Sequence, residues 1–216
     1  VPVKTVATAH ANDDFAQYQK LGDLRTWNIY SPLMAPVSLR QEWLELKDED
    51  PFDYACVERK IPASSYLKAS FDVQAAQTRN GSLQIEFLDE KGIACTRIEL
   101  NKEGMIRVKN GARYGNVMPY QADQTYRFEA TLDTQHRQLN LTVSTLGADG
   151  KALQSKSTKR IFYAPVHQIE RIRFRTGDLR TFPTIDTPAD WFGTLEHAGD
   201  TDTTALYRIA HVKTVS

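Results

Sequence analysis

The 216-residue chain has little cysteine, no charge imbalance and no long apolar run, and each lack removes a class of protein. Two cysteines, Cys56 and Cys95, cannot build a disulfide scaffold, and a core of this size needs none. Lys+Arg and Asp+Glu both number 27, so the cationic excess that neutralises nucleic-acid phosphates is missing. Nucleic acid is therefore not an expected partner. No apolar run reaches the roughly 18–20 residues of a membrane-crossing helix, so no membrane span is expected. The histidines are scattered, without the spacing of a zinc site. Internal repeats and low-complexity tracts are absent. Val1-Pro2-Val3-Lys4 shows neither an initiator Met nor a signal pattern. It reads as a processed or excised start, with either a signal peptide or an upstream domain removed, and the expectations are a secreted or periplasmic location and flanking domains of a larger protein.

What is present is period-two alternation. Segments 66–74, 82–88, 94–100 and 105–109 alternate apolar and polar residues and are separated by turn sequences such as Asn80-Gly81, Glu90-Lys91-Gly92 and Asn101-Lys102-Glu103-Gly104. They read as consecutive strands of an antiparallel meander. Further strands are expected at 26–30, 37–47, 54–61 (closed by Pro62), 126–133, 138–146, 153–163, 167–175 and 205–215. A first strand or linker is expected at 3–9 and a short helix near 13–21 or 188–192. Helical periodicity is otherwise nearly absent. About eleven to thirteen closely spaced strands point to one all-β domain, a two-sheet antiparallel sandwich or jelly roll. The stretch 110–125 is expected to be a long loop, and 176–204 the longest irregular segment.

Parity sorts the meander. Leu67, Phe71, Val73, Leu83, Ile85, Phe87, Ile98, Ile106 and Val108 belong on the buried face. The opposite parity carries Lys68, Ser70, Asp72, Gln84, Glu86, Arg97, Glu99 and Arg107, with Tyr54, Cys56 and Glu58 extending it if the preceding strand joins the same sheet. One reading is a solvated face with cross-strand pairs such as Glu86–Arg97 and Glu99–Arg107, each contributing a few tenths to about one kcal/mol. The other is a groove for a hydroxyl-rich ligand, where Arg and carboxylate groups meet sugar hydroxyls or a uronate carboxylate.

The succession Asp13-Asp14-Phe15, Trp27, Trp43-Leu44-Glu45-Leu46, the meander and a final strand at 205–212 resembles the concanavalin A-like lectin/glucanase jelly roll of bacterial polysaccharide-degrading proteins. The resemblance implies a carbohydrate-binding or accessory domain, with a polysaccharide or oligosaccharide as partner on a concave polar sheet face. The alternatives are a glycoside hydrolase or uronate lyase on the same scaffold, or a structural module. The glucanase spacing Glu-x-Asp-x-x-Glu is absent, as is the alginate-lyase pairing of Gln and His with a neighbouring Tyr, so no catalytic residue is assigned.

The expected ligand-binding residues are Lys68, Gln84, Glu86, Arg97, Glu99, Arg107, Tyr114 from the long loop, and Trp191, which would stack on a sugar ring if exposed at a rim. Glu58, Glu86 and Glu99 could instead serve acid–base chemistry if two lie about 5–9 Å apart. Arg171, Arg173 and Arg175 alternate with Ile172 and Phe174 and form either an anion-binding row or a neutralised one. No cofactor is required, but a structural calcium is conceivable through Asp13, Asp14 and Asp202 where the first and last strands meet. Cys56 and Cys95 share a parity, which leaves a disulfide or two thiols open.

Overall fold

The computed structural model describes residues 8–50, 53–177 and 204–216. Its strands, in chain order, begin β1 (Asn12–Asp13), β2 (Trp27–Tyr30), β3 (Val37–Arg40), β4 (Trp43–Asp48), β5 (Cys56–Ser64), β6 (Tyr66–Ala75), β7 (Leu83–Leu88) and β8 (Ala94–Leu100). They continue β9 (Met105–Asn110), β10 (Arg113–Pro119), β11 (Thr125–Asp133), β12 (Gln138–Leu146), β13 (Ala152–Ile161), β14 (Ile169–Thr176) and β15 (Ala205–Val215). One sheet runs β13-β12-β11-β6-β15-β4-β3, with β1 added beside β15, and the other runs β10-β9-β8-β7-β14-β5-β2. All their pairings are antiparallel, and the architecture is the expected two-sheet sandwich.

Alternation drives the sheets together. Tyr126, Phe128, Ala130 and Leu132 on β11 are buried between more exposed neighbours, and Leu139, Leu141 and Val143 on β12 face the same way. Phe71 and Phe128 of one sheet stack at 5.4 Å, and Phe174 of the other meets Phe71 edge-on at 5.1 Å. Trp27 and Phe15 close one flank of this cluster. Each such ring, once buried, contributes roughly 1.5–3 kcal/mol by removing apolar surface from water.

Several expectations about the strands are corrected. The first of the four segments, β6, is not part of the meander, because it pairs with β11 and β15 in the opposite sheet. Both sheets point their apolar rows at one shared core, so parity reveals which side chains face outward but not from which sheet. The expected single strand at 37–47 is the hairpin β3–β4. Gln41 makes the reversal at φ 56 without glycine, so the turn left no residue signal. The expected loop at 110–125 contains β10, which folds back on β9 through Gly111 at φ 59. Pro62 lies inside β5 rather than ending it, where the register with β14 shifts between Ile169 and Arg171. Instead of a short helix near 13–21, two 3-10 turns form at Phe15–Gln17 and Leu21–Asp23. The segments 3–7 and 188–192 lie outside the described residues.

A bulge on β8 settles the cysteines. The β7–β8 register slips between Phe87 and Leu88, which turns Cys95 into the core instead of outward. Cys56 stays on the outer face, and both are free thiols. Burial pushes the Cys95 thiol far up, so it is an inert part of the core.

Candidate functional site

The outer face of the seven-stranded sheet is a register-built grid. One cross-strand row reads Asn28, Glu58, Arg173, Glu86 and Arg97, and the next reads Tyr30, Cys56, Arg175, Gln84, Glu99 and Arg107. Alternation along each strand points these side chains away from the core, and pairing between strands places opposite charges side by side.

Glu86 is the centre of the grid and has no exposed surface. Arg97 donates to its Oε1 from Nε at 2.9 Å and from Nη2 at 2.7 Å. From the other side, Arg173 donates to Oε2 through Nε at 2.7 Å. Burial works to lower the Arg97 pKa, but the Glu86 carboxylate outweighs it and holds the guanidinium above its ordinary value. Glu99 is treated the same way, taking Gln84 Nε2 at 2.7 Å and an ion pair from Arg107. Glu58 accepts from Asn28 and Arg171, both at 3.3 Å. The expected pairs Glu86–Arg97 and Glu99–Arg107 therefore exist, with carboxylates far more buried than a solvated face would have.

The two ends of the face are aromatic. At one end Tyr114, on β10, lies under Arg107 at 4.4 Å and Lys109 at 4.5 Å, and Tyr163 lies 5.1 Å from the same Lys109 ammonium. Burial, then the Glu99 charge, raises the Tyr114 pKa, so its phenol keeps its proton at neutral pH. Burial, then Arg97, lowers that of Lys109. At the other end the Arg175 guanidinium stacks 3.8 Å above Tyr54, and Tyr54 and Tyr30 pack with centroids 5.4 Å apart. The Tyr30 hydroxyl donates to Asp53 at 2.8 Å, and the ring is 48% exposed, so it presents a face to solvent. Cys56 sits between these groups, its thiol pushed up to about 11 by burial.

Of the expected ligand residues, Gln84, Glu86, Arg97, Glu99, Arg107 and Tyr114 come together on this face. Gln84, Glu86 and Glu99 lie beneath the arginines, at 1%, 0% and 4% exposure, and so form its foundation. Lys68 is on the opposite sheet, where with Ser70, Glu129, Thr131 and Lys213 it lines a cleft of about 490 Å³. Ser70 and Asp72 share that other face, Asp72 being held by Arg127 and His211. Trp191 and Asp202 lie outside the described residues. Tyr30 and Tyr163 were not singled out from the sequence, although Tyr30 alternates outward beside the buried Trp27.

Asp13 and Asp14 do not converge as a cation pair. Asp13 is buried, and its Oδ2 accepts from Arg59 Nε at 2.7 Å and Trp27 Nε1 at 2.9 Å. Asp14 caps the first 3-10 turn through the Ala16 amide at 3.1 Å. Among the described residues no three His, Cys, Asp or Glu side chains gather at a point that would hold a metal.

The two-sheet antiparallel sandwich defines the class, a concanavalin A-like jelly-roll domain. The chain belongs to the family described as "Sialidase-like, CBM domain", which matches residues 27–191. A solved sialidase is similar over 96% of the chain, at 55% identity and a TM-score of 0.82, while the chain spans only 18% of that protein's length. The GH131 β-glucanase catalytic domain from Podospora anserina shares the fold at 13% identity and TM-score 0.59, over 94% of this chain and 93% of its own. The Lotus tetragonolobus seed lectin does so at 6% and 0.52, over 88% and 92%. Among curated proteins none matches the chain.

Proposed function

We propose that this domain binds an oligosaccharide or polysaccharide on the outer face of the seven-stranded sheet, as the recognition part of a larger, secreted or periplasmic glycan-degrading protein. The observation that carries the reading is the placement of aromatic rings and hydrogen-bonding cations together on one outward face. Tyr30 and Tyr54 stand beside Arg175 at one end, and Tyr114 beside Arg107 and Lys109 at the other. Rings of this kind stack on the apolar faces of sugars, while guanidinium and ammonium groups donate to hydroxyls and ring oxygens. Between them the Glu86 and Glu99 clusters hold the arginines in fixed rotamers, so little ordering cost falls on binding.

A catalytic role for this face is disfavoured by the same contacts. A glycosidase needs two carboxyl groups open to either side of the scissile bond. Glu58, Glu86 and Glu99 are instead each held by an arginine. Glycan-array binding followed by calorimetry tests the reading. Tyr54→Ala and Tyr114→Ala are expected to weaken binding of any glycan retained by the wild type, each by about 1 kcal/mol or more. Thermal denaturation of the same variants separates that loss from any general loss of stability where the partly buried rings pack under Arg175, Arg107 and Lys109. Retention of full affinity by both variants would move the site off this face.

A further inference from the structure

Resting on that reading, we infer that the glycan is acidic and that Arg175 takes its carboxylate, with the sugar ring against Tyr54 and Tyr30. The cations of this face are not equally satisfied. Arg171 is matched by Glu58, Arg97 and Arg173 share Glu86, and Arg107 has Glu99. Arg175 is next in line, and the register gives it only neutral neighbours, Cys56 on one side and Gln84 on the other. Among the described residues no hydrogen bond or ion pair reaches its guanidinium, and its Nε is buried without a partner.

Two further observations point the same way. Gln84, the neighbour of Arg175 on β7, is 1% exposed, and while its Nε2 donates to Glu99, among the described residues its buried Oε1 has no hydrogen-bond partner. A donor and an acceptor on adjacent strands thus both lack partners, as they would where a hydroxyl-bearing anion completes the set. The guanidinium carbon lies 3.8 Å over the Tyr54 ring, and the partly exposed side chain keeps its terminal N–H groups for a planar, two-oxygen acceptor. Burial lowers the Arg175 pKa below its ordinary value, and the charge of Glu86 one row away does not restore it. A carboxylate matches this edge better than a sulfate ester, because both planar oxygens engage the fork at once.

Calorimetry on the wild type with 3′-sialyllactose against lactose, and with tri-galacturonate against its methyl ester, reads the charge preference directly. At least one acidic probe is expected to bind about tenfold or more tighter than its neutral counterpart. Arg175→Gln is expected to erase that preference and Arg175→Lys to keep part of it, because Lys retains charge without the fork. Equal binding of acidic and neutral probes overturns the inference, as does a preference undiminished in Arg175→Gln. Sulfated lactose binding as tightly as the carboxylated probe overturns the choice of carboxylate. Lactose binding that depends on Tyr54 or Tyr114 but not Arg175 leaves the sheet-face reading standing and this inference refuted. Absence of binding by every probe refutes both. If Arg175→Gln fails to fold, the ester comparison on the wild type still decides the matter.

Discussion

Replacing Glu86 by Gln separates a foundation from a ligand contact. The side chain is fully buried and its two oxygens accept from Arg97 on one side and Arg173 on the other. Gln keeps the volume but removes the charge and one acceptor, leaving two guanidinium groups facing an amide. Removing one member of a buried ionic cluster costs about 3–5 kcal/mol. Here the Arg97 and Arg173 side chains retain 17% and 28% exposure, so water recovers part of their solvation. The expected loss is therefore near the lower end, about 3 kcal/mol. At roughly 2–4 °C per kcal/mol for a chain of this size, the midpoint should fall by about 6–12 °C. Urea unfolding followed by far-ultraviolet circular dichroism should show the same loss with an unchanged slope. Glu129→Gln, on the exposed outer face of the other sheet, is the control and should stay within about 0.5 kcal/mol. A loss below about 1 kcal/mol for Glu86→Gln would refute the argument that this carboxylate fastens the grid. So would a stable variant that no longer binds glycan, since Glu86 would then be a ligand contact.

Other outcomes follow from single contacts. Gly111→Ala forces a side chain onto a backbone at φ 59 in the β9–β10 turn and should cost about 1 kcal/mol by thermal denaturation. Burial raises the Asp48 pKa, outweighing the lowering contacts from Thr176 and the Asp50 amide, and among the described residues its Oδ2 has no hydrogen-bond partner by geometry. The folded state thus holds that proton more tightly than the unfolded chain. Its contribution to stability is present below the ordinary carboxylate range and is lost as pH rises through the raised value. Asp48→Asn should accordingly gain stability relative to wild type as pH rises from about 4 toward 7, and an identical pH profile for both proteins would contradict this. Asp13→Asn should lower the melting temperature equally in calcium and in chelator, because Asp13 serves Arg59 and Trp27. A calcium-dependent difference between the two proteins would restore a metal role to that residue.

The strands were legible wherever alternation was clean. The segments 138–146 and 205–215 coincide with β12 and β15, and the parity of β7, β8 and β9 correctly brought Gln84, Glu86, Arg97, Glu99 and Arg107 to one face. Failures fell where the chain turned without a glycine, as at Gln41, or where a bulge reversed parity, as at Cys95. Tyr114 was named from a supposed loop, yet it reaches the face from β10 because Gly111 makes a tight reversal in place of an open connection. The arginine row at 171–175 was visible as a row. Which of its members lacks a carboxylate was not, because that depends on the neighbours supplied by β5 and β7.

What the sequence by itself determined is the division of each strand into an inward and an outward set, since the two-residue repeat of a pleated chain depends only on local order. What only the tertiary structure decided is sheet membership. β6 leaves the meander to lie between β11 and β15, carrying Lys68 to the far side of the molecule, and β14 inserts between β7 and β5, bringing Arg173 to Glu86 and Arg175 to Gln84. Those pairings join residues from about 50 to about 150 positions apart. They are selected by how two whole sheets bury their apolar faces against each other, and no local pattern encodes that choice.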